Sequence, residues 1–192
     1  MGGAMKEKPI LFSALMVRAL LAGTKTQTRR IVKPPPKWAS ASCAGVDFGC
    51  PYGVPSDRLW VREAWAVPHP LDHLKPSEVP QGAALVYYAA TENLGGLLKR
   101  QSLFMPRWAS RITLELTAVR VERLQEISEA DARAEGSPCV DEFSGREVLF
   151  PDHSKAGSFR LGYSVLWESI NGAGSWAVNP WVWVLSFKRI SP

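Results

Sequence analysis

The clearest pattern of hydrophobic and polar positions lies between residues 111 and 124. There Ile112, Leu114 and Leu116 alternate with polar or charged residues, which is the period of a strand with one buried face. The last segment of the chain, residues 181–190, alternates valine with tryptophan and other large side chains. Both segments are therefore predicted to be long strands.

Shorter segments predict the remaining secondary structure. Runs rich in aromatic and β-branched residues predict strands, at residues 9–12, 59–67 and 84–90. Apolar residues spaced three or four apart predict helices, at residues 14–22 and 159–170. A capping-box pattern followed by a glycine stop predicts a short helix at residues 128–135. Because strands and helices do not alternate regularly, the fold class is expected to be α+β. A small, mixed and partly open β-barrel with flanking helices fits these elements.

The chain is expected to be a flexible leader, residues 1–8, followed by one domain over residues 9–192, a length that suits a single domain. Segments rich in Pro, Gly and Ser predict loop insertions at about 37–58, 68–83 and 137–157. No apolar stretch approaches the ~20 residues that span a bilayer, and the leader carries no apolar signal sequence. A cytoplasmic protein that does not bind membranes is therefore expected.

The positive charge of the chain is concentrated near its start. The net charge is +5, yet residues 1–40 hold eight Lys and Arg and one acid, a local +7. A basic cluster points to an anionic or nucleotide-like partner, and a solvated basic tail is the alternative. The three cysteines, Cys43, Cys50 and Cys139, are odd in number and lack CxxC spacing. Neither a disulfide scaffold nor a four-ligand zinc site is expected from them.

The segment that follows the first predicted helix is the richest in chemistry. It reads Gly-Thr-Lys-Thr-Gln-Thr-Arg-Arg over residues 23–30. Neighbouring arginines, and burial if present, would favour the neutral form of Lys25, and a neutral lysine can act as general base for a hydroxyl. Thr28 is the candidate hydroxyl if the segment turns, with Thr26 in reserve if it is a flat strand, since Lys25 and Thr28 would then face opposite sides. A solvated basic turn is the alternative.

Glu135 is the second unusual position. It lies at the end of the predicted helix 128–135, directly before Gly136, where a carboxylate opposes the helix dipole at a cost of roughly 0.3–1 kcal/mol. Asp131, by contrast, is expected to complete a capping box with Ser128. Glu135 is therefore a candidate functional acid, with an ordinary surface acid as the alternative.

Three residues outside these segments are further candidates for binding. Glu63 follows Arg62 in an otherwise apolar predicted strand, so one of the two could face a cavity; a pair on the barrel exterior is the alternative. Trp60 and Trp108 belong to a set of eight tryptophans, an unusually large number, which could include a base-stacking surface. Packing in the core is the alternative for the tryptophans.

Four blocks of the chain carry a family resemblance, at residues 8–34, 56–65, 104–136 and 166–190. They read KPILFSALMVRALLAGTKTQTRRIVKP, SDRLWVREAW, FMPRWASRITLELTAVRVERLQEISEADARAEG and LWESINGAGSWAVNPWVWVLSFKRI. These blocks resemble the ASCH-domain proteins, whose fold is PUA-like, and in particular the longer branch associated with phages. One departure is Ser56, where that branch usually has glycine before Asp-Arg-Leu-Trp, a change expected to alter only the turn.

The resemblance implies a pseudo-barrel of five or six strands with a pocket between barrel and helices. ASCH domains were proposed as RNA-binding or coactivator-associated modules, and a small bacterial member is an N4-acetylcytidine amidohydrolase. Its catalytic group is a lysine and a threonine in a G-x-K-T-x-T-x-R motif, with a glutamate on the helix after the long strand. The matching positions here are Lys25, Thr28 and Glu135.

Taken together, the residues and the resemblance predict an amidohydrolase that cleaves the exocyclic amide of N4-acylated cytosine compounds. Substrate binding is expected from Arg29, Arg30, Trp60, Glu63 and Trp108. No cofactor, no metal ion and no obligate protein partner are expected; the partner is a modified nucleoside, either free or in RNA. An RNA-binding module or ribonuclease of the same class is the alternative, and a structural role in a phage particle is a third hypothesis.

Overall fold

The computed structural model describes residues 5–33, 49–82, 85–141 and 157–190. Its strands are β1 (Glu7–Leu11), β2 (Gln27–Ile31), β3 (Arg58–Arg62), β4 (Trp65–Ala66), β5 (Tyr87–Tyr88), β6 (Thr113–Arg123), β7 (Val140–Asp141), β8 (Gly157–Ser158) and β9 (Trp181–Ile190). Its α-helices are α1 (Ala14–Leu21), α2 (Glu129–Ala134) and α3 (Phe159–Asn171). Short 3₁₀ turns lie at His69–Leu71, Ser102–Phe104, Arg107–Ala109 and Leu124–Glu126. The fold class is α+β, as the sequence predicts.

Five of the strands form one mixed sheet in the order β1-β3-β6-β9-β2. Strand β1 runs parallel to β3, with Glu7 opposite Arg58. Strand β3 is antiparallel to β6, and β2 is antiparallel to β9, with Thr28 opposite Leu185. The pairs β4-β5 and β7-β8 form two small sheets of their own.

The chain divides into two compact units. Unit 1 comprises Met1–Gly23, Pro51–Leu116 and Lys188–Pro192, and unit 2 comprises Thr24–Cys50 and Thr117–Phe187. The single domain predicted over residues 9–192 stays a prediction. Within the described residues, no helix combines the length and the apolar composition that crossing a membrane requires.

Unit 2 has a core in which the two later helices pack on β9. Its buried members are Leu124, Ile127, Ala132, Tyr163, Trp167, Val182 and Val184. Helix α3 lies close to the segment that follows α2. A Cβ added at Gly162 would overlap the carbonyl oxygen of Pro138 and lie 3.2 Å from Val140 Cγ2. Glycine at this position therefore permits the approach of α3 and places Tyr163 next to α2.

Unit 1 has its own core and a tight turn before β3. The core cluster is Trp65, Val67, Val79, Met105 and Ala109. In the turn, the Asp57 carboxylate accepts hydrogen bonds from the backbone N–H groups of Lys6 (2.9 Å) and Val54 (3.1 Å). These bonds lower the pKa of Asp57, and Ser56 beside it has φ +77°.

The helices and the two longest strands confirm the sequence predictions. Helix α1 ends one residue early, where Gly23 adopts φ +76°, and β9 covers residues 181–190 as predicted. Strand β1, however, begins at Glu7, because that residue pairs with Arg58. The predicted flexible leader is therefore wrong at its last two residues, and residues 1–4 lie outside the described residues.

Two predicted strands needed correction, and one strand of the sheet was not predicted. The strand predicted at 59–67 is broken after Arg62, because Glu63 turns inward to a salt bridge and Trp65–Ala66 pairs with β5 instead. Of the strand predicted at 84–90, residues 85–90 are described, and within these Tyr87–Tyr88 alone form a strand. Strand β2 was not predicted, since its polar sequence lacks an apolar face. Of the predicted loops, residues 37–48, 83 and 142–156 lie outside the described residues.

Candidate active site

Lys25 lies in the turn between α1 and β2, and its side chain is fully buried. Its Nζ donates hydrogen bonds to the main-chain oxygen and to Oε2 of Glu135, both at 2.7 Å. The N–H of Thr26 donates to the carbonyl of Ala134 at 2.8 Å. The turn therefore docks on the C-terminal end of α2 and supplies donors to carbonyls that a helix end leaves unpaired.

Glu135 is the C-terminal cap of α2 and is 2% exposed. Three donors surround its carboxylate: Lys25 Nζ at Oε2, Arg29 Nη1 at Oε1 (3.2 Å) and the hydroxyl of Tyr163. A carboxylate at this end of a helix opposes the dipole, and burial adds a desolvation penalty. The two cations and the hydroxyl offset both costs, so the unusual position of Glu135 in the sequence corresponds to a buried polar cluster.

Arg29 lies on β2, and its guanidinium makes five hydrogen bonds within unit 2. Nε and Nη2 donate to Glu122 Oε1 (3.0 and 2.6 Å), Nη2 also to Asp131 Oδ2 (3.2 Å), and Nη1 to Gln27 Oε1 (3.4 Å) and Glu135 Oε1 (3.2 Å). A guanidinium has five N–H donors. All five are used, which argues against the predicted role of Arg29 in binding substrate.

The ion-pair network extends to the surface through Arg120, whose side chain is 40% exposed. Arg120 donates to Glu122 Oε2 (3.0 Å) and to Asp131 Oδ2 (2.8 Å). Asp131 therefore bridges two arginines, in addition to the N-terminal capping of α2, in which its N–H donates to Ser128 Oγ. Three cations and three carboxylates make up the network, which is neutral when Lys25 is protonated.

Burial lowers the pKa of Lys25, and the charges of Arg30 and Arg29 lower it further. The Glu135 carboxylate acts in the opposite direction, but the net effect is a lowered pKa. Burial and the Glu135 carboxylate raise the pKa of Tyr163 well above its usual value, so this residue is a neutral hydrogen-bond donor. A lysine that loses its proton more readily than usual, held in place by a carboxylate, is suited to acid–base chemistry.

Thr28 and Arg30 occupy the other face of β2. Successive side chains of a strand point to opposite sides, so Thr28 and Arg30 face away from Arg29. Thr28 is 1% exposed and Arg30 is half-buried, while Thr26, the reserve candidate, is exposed. The structure thus joins Lys25 and Glu135 directly. Thr28 is buried in the same unit.

The remaining predicted binding residues lie in unit 1, where each has partners. Glu63 is 1% exposed, and both of its carboxylate oxygens accept from Arg111, at 2.9 and 3.0 Å. The Trp60 ring lies 4.6 Å from the Arg62 guanidinium. Trp108 packs edge-on against Trp65, with ring centroids 6.3 Å apart. These contacts are of the kind expected for residues that stabilise the fold of unit 1.

Sequence reasoning did not single out Glu122, Arg120 or Tyr163. Arg120 and Glu122 are two apart on a strand, a spacing that places both on one face. This spacing could have indicated an ion pair between them. Tyr163 was hidden, because a tyrosine within an apolar helical stripe resembles an ordinary core residue. Within the described parts of the chain, no three histidine, cysteine, aspartate or glutamate side chains are grouped as a metal ion requires.

No protein-family model, curated protein or solved structure matches this chain. The resemblance to ASCH-domain proteins therefore stays a prediction. The functional argument rests on the buried cluster around Lys25 and Glu135.

Proposed function

We propose that this protein is an amidohydrolase that cleaves the exocyclic amide of N4-acylated cytosine compounds. The observation that carries the proposal is the buried lysine–carboxylate pair, in which Lys25 Nζ lies 2.7 Å from Glu135 Oε2. Burial and two neighbouring arginines lower the pKa of Lys25. A general base is most effective when its pKa lies near the working pH, and lysine reaches that range only in surroundings of this kind.

The substrate class and the finer fold come from the family resemblance. The G-x-K-T-x-T-x-R motif and a glutamate on the helix after the long strand accompany this amidase chemistry in the small bacterial relative. Here the motif residues flank the start of β2, and Glu135 ends the helix that follows β6. The same resemblance implies that the five-stranded sheet belongs to a PUA-like barrel. A cytoplasmic location, expected from the sequence, is part of the same proposal.

In the proposed reaction, Lys25 in its neutral form accepts the proton of the Thr28 hydroxyl. Thr28 Oγ attacks the acyl carbonyl, and the bond from that carbon to the exocyclic nitrogen breaks. The nitrogen leaves as the amine of cytosine after taking the proton that Lys25 had accepted. Water then hydrolyses the Thr28 ester, which releases the carboxylic acid and restores the hydroxyl. Glu135 holds the amine of Lys25 in place throughout.

A water molecule can replace Thr28 as the nucleophile in this scheme. The strand alternation that turns Thr28 away from Arg29 is the observation that favours this second form. Lys25 and Glu135 have the same roles in both forms. Substitution of Thr28 by alanine separates them, because an ester intermediate requires the hydroxyl.

The basic residues near the start of the chain give less support to the RNA-binding alternative. Lys25 and Arg29 are two of the eight Lys and Arg in residues 1–40, and both are buried and paired with carboxylates. Charges neutralised in this way contribute little to phosphate binding, which depends on accessible cations.

The test is turnover of N4-acetylcytidine by the purified protein, followed by its ultraviolet spectrum. Wild type is expected to yield cytidine, and Lys25→Ala and Glu135→Ala are expected to be inactive. Lys75→Ala is the matched control, since Lys75 is exposed in unit 1 and forms a surface salt bridge with Glu78 at 3.5 Å. Thr28→Ala is expected to be inactive if the nucleophile is the hydroxyl.

Circular dichroism and melting temperature confirm that each inactive variant is folded. A folded wild type that converts neither N4-acetylcytidine nor larger N4-acyl analogues would overturn the proposal. A gel shift with RNA that weakens steeply with salt would then favour the binding module.

A further inference from the structure

Arg29 is placed differently from a substrate-binding residue. Its side chain has no exposed surface, and its five N–H groups are taken by Glu122, Asp131, Glu135 and Gln27. A substrate could bind Arg29 only by displacing one of these acceptors. Its contacts are directed instead at the carboxylate that holds Lys25.

The two oxygens of Glu135 are divided between two cations. Oε1 accepts from Arg29 Nη1 at 3.2 Å, and Oε2 accepts from Lys25 Nζ at 2.7 Å. A carboxylate is planar, so donors fixed on both oxygens determine its rotation as well as its position. Without the donor at Oε1, the carboxylate could rotate away from Lys25.

We propose that Arg29 is a positioning residue, which clamps Oε1 of Glu135 so that Oε2 faces Lys25. The inference rests on the proposed function, because it assigns Arg29 a role in the reaction of the Lys25–Glu135 pair. It applies to both forms of the mechanism, since both use that pair.

Arg29 is itself held from several elements of unit 2. Glu122 on β6 accepts two of its bonds, at 3.0 and 2.6 Å, and Asp131 on α2 accepts a third. Arg120 binds both of these carboxylates from the solvent side. The ring of Tyr163 on α3 lies 5.9 Å from the guanidinium carbon. A lysine in this place would keep the charge but lose the planar fork that joins three carboxylates.

The charge of Arg29 has a separate consequence for Lys25. The groups around the Lys25–Glu135 pair are Arg29 and Arg30 on β2, Asp131 on α2, Glu122 on β6 and Tyr163 on α3. Of these, Arg29 and Arg30 are like charges that lower the pKa of Lys25. Removing the charge of Arg29 raises that pKa, so the neutral amine forms only at a higher pH.

Two variants separate position from charge. The double variant Arg29→Gln/Glu122→Gln removes one cation and one carboxylate and so preserves the charge balance, whereas Arg29→Lys keeps the charge and loses the fork. We measure kcat and KM for N4-acetylcytidine across the pH range. In parallel we titrate the Lys25 side chain by carbon-13 NMR, with Lys25→Ala for assignment.

The double variant is expected to lose at least tenfold in kcat and to move the acidic limb of its pH profile upward, because the charge of Arg29 lowers the pKa of Lys25. Arg29→Lys is expected to lose about tenfold to a hundredfold in kcat through misplacement of Glu135, with KM and the acidic limb nearly unchanged. A role in folding alone would lower the melting temperature and leave the pH profile of the folded enzyme where it was.

Folded variants with wild-type kcat and an unmoved acidic limb would overturn the assignment. If the double variant does not fold, wild-type kcat in Arg29→Lys overturns it alone. If wild type shows no turnover, the proposed function fails. The NMR titration still shows whether Arg29 influences the Lys25–Glu135 pair. An unchanged Lys25 titration in the folded double variant then excludes any influence of Arg29 on the pair, whereas an upward shift retains that influence.

Discussion

Within the residues that the structure describes, each unit buries one glutamate and pairs it with arginine. In unit 1, Glu63 is 1% exposed, and in unit 2, Glu135 is 2% exposed. Both sites carry a desolvation penalty, and a buried carboxylate must be paired and hydrogen-bonded to be tolerated. The two sites differ in whether a cationic partner of the glutamate can lose its proton.

Glu63 directs both oxygens to one arginine. Arg111 donates from Nε and Nη2, and its guanidinium lies 3.9 Å from the centre of the Tyr88 ring. Arginine does not lose its proton in proteins, so Arg111 cannot act as an acid or a base. Glu135 instead binds Lys25 with one oxygen and Arg29 with the other. Burial lowers the pKa of this lysine. Burial of a carboxylate therefore does not by itself indicate chemistry; a partner that can change its protonation does.

The largest expected effect comes from the same substitution at both glutamates. Glu135→Gln removes the charge that holds Lys25, and kcat is expected to fall by about 10²–10⁴, the range of acid–base contributions. Glu63→Gln weakens the bonds to Arg111 and is expected to cost about 1.5–3 kcal/mol of unfolding free energy, with turnover per folded molecule retained. Steady-state kinetics and urea unfolding of both variants test this pair of expectations.

If Glu63→Gln lost activity as steeply as Glu135→Gln while folded, the contrast between the two glutamates would be broken. Glu63 would then regain the substrate-binding role that the sequence predicted for it. A loss confined to stability would leave Glu63 as part of the scaffold of unit 1.

An intermediate effect is expected at the close approach of α3. Gly162→Ala places a Cβ against the carbonyl of Pro138, where its carbon is 3.1 Å away, and backbone cannot give way cheaply. Overpacking of this kind costs typically about 1–3 kcal/mol. Because Tyr163 follows directly, the shift also separates its hydroxyl from Glu135, and kcat is expected to fall as well.

The matched control for Gly162→Ala is Gly96→Ala in unit 1. An added Cβ at Gly96 meets only the ring of His69, at 3.8 Å, which is ordinary contact. The control is expected to change the unfolding free energy by no more than about 0.5 kcal/mol. A cost of Gly162→Ala as small as that expected for the control would show that α3 tolerates the added methyl and would remove the argument for its close approach.

Local sequence patterns predicted the helices and the two longest strands, because those patterns have a regular period. Strand β2 could not be found in this way, since Gln27–Ile31 is mostly polar and depends on pairing with β9. The break after Arg62 was also hidden, because it depends on Arg111, which lies 48 residues from Glu63.

The candidate site was predictable only in part. Lys25 and Glu135 stood out for local reasons, namely like charges beside one and an unfavourable helix end beside the other. The partners of Arg29 could not be predicted, since Glu122 and Asp131 lie 93 and 102 residues away along the chain. Periodicity shows which residues share a face, but it does not show which faces meet. For this reason Arg29 was assigned to the substrate and not to Glu135.

The smallest expected effect is a gain in stability at Ser56, in the turn of unit 1 before β3. Ser56 has φ +77°, a conformation that costs an L residue about 1–2 kcal/mol, and its N–H donates to the carbonyl of Leu116 at 2.8 Å. Glycine adopts this φ freely but loses about 0.5–1 kcal/mol more backbone entropy on folding. Ser56→Gly is therefore expected to stabilise the protein by roughly 0.5–1 kcal/mol.

Calorimetry of Ser56→Gly and Ser56→Ala checks the origin of that gain. Alanine removes the hydroxyl but keeps the strained φ, so it is expected to leave the melting temperature within about 1 °C of wild type, whereas glycine raises it by about 2–4 °C per kcal/mol. A gain with alanine equal to that with glycine would contradict backbone strain as the cause. Turnover is expected to stay at the wild-type level in both variants, because neither substitution touches a donor to Glu135. Stability would then change through unit 1 while the chemistry of the Lys25–Glu135 pair stays constant.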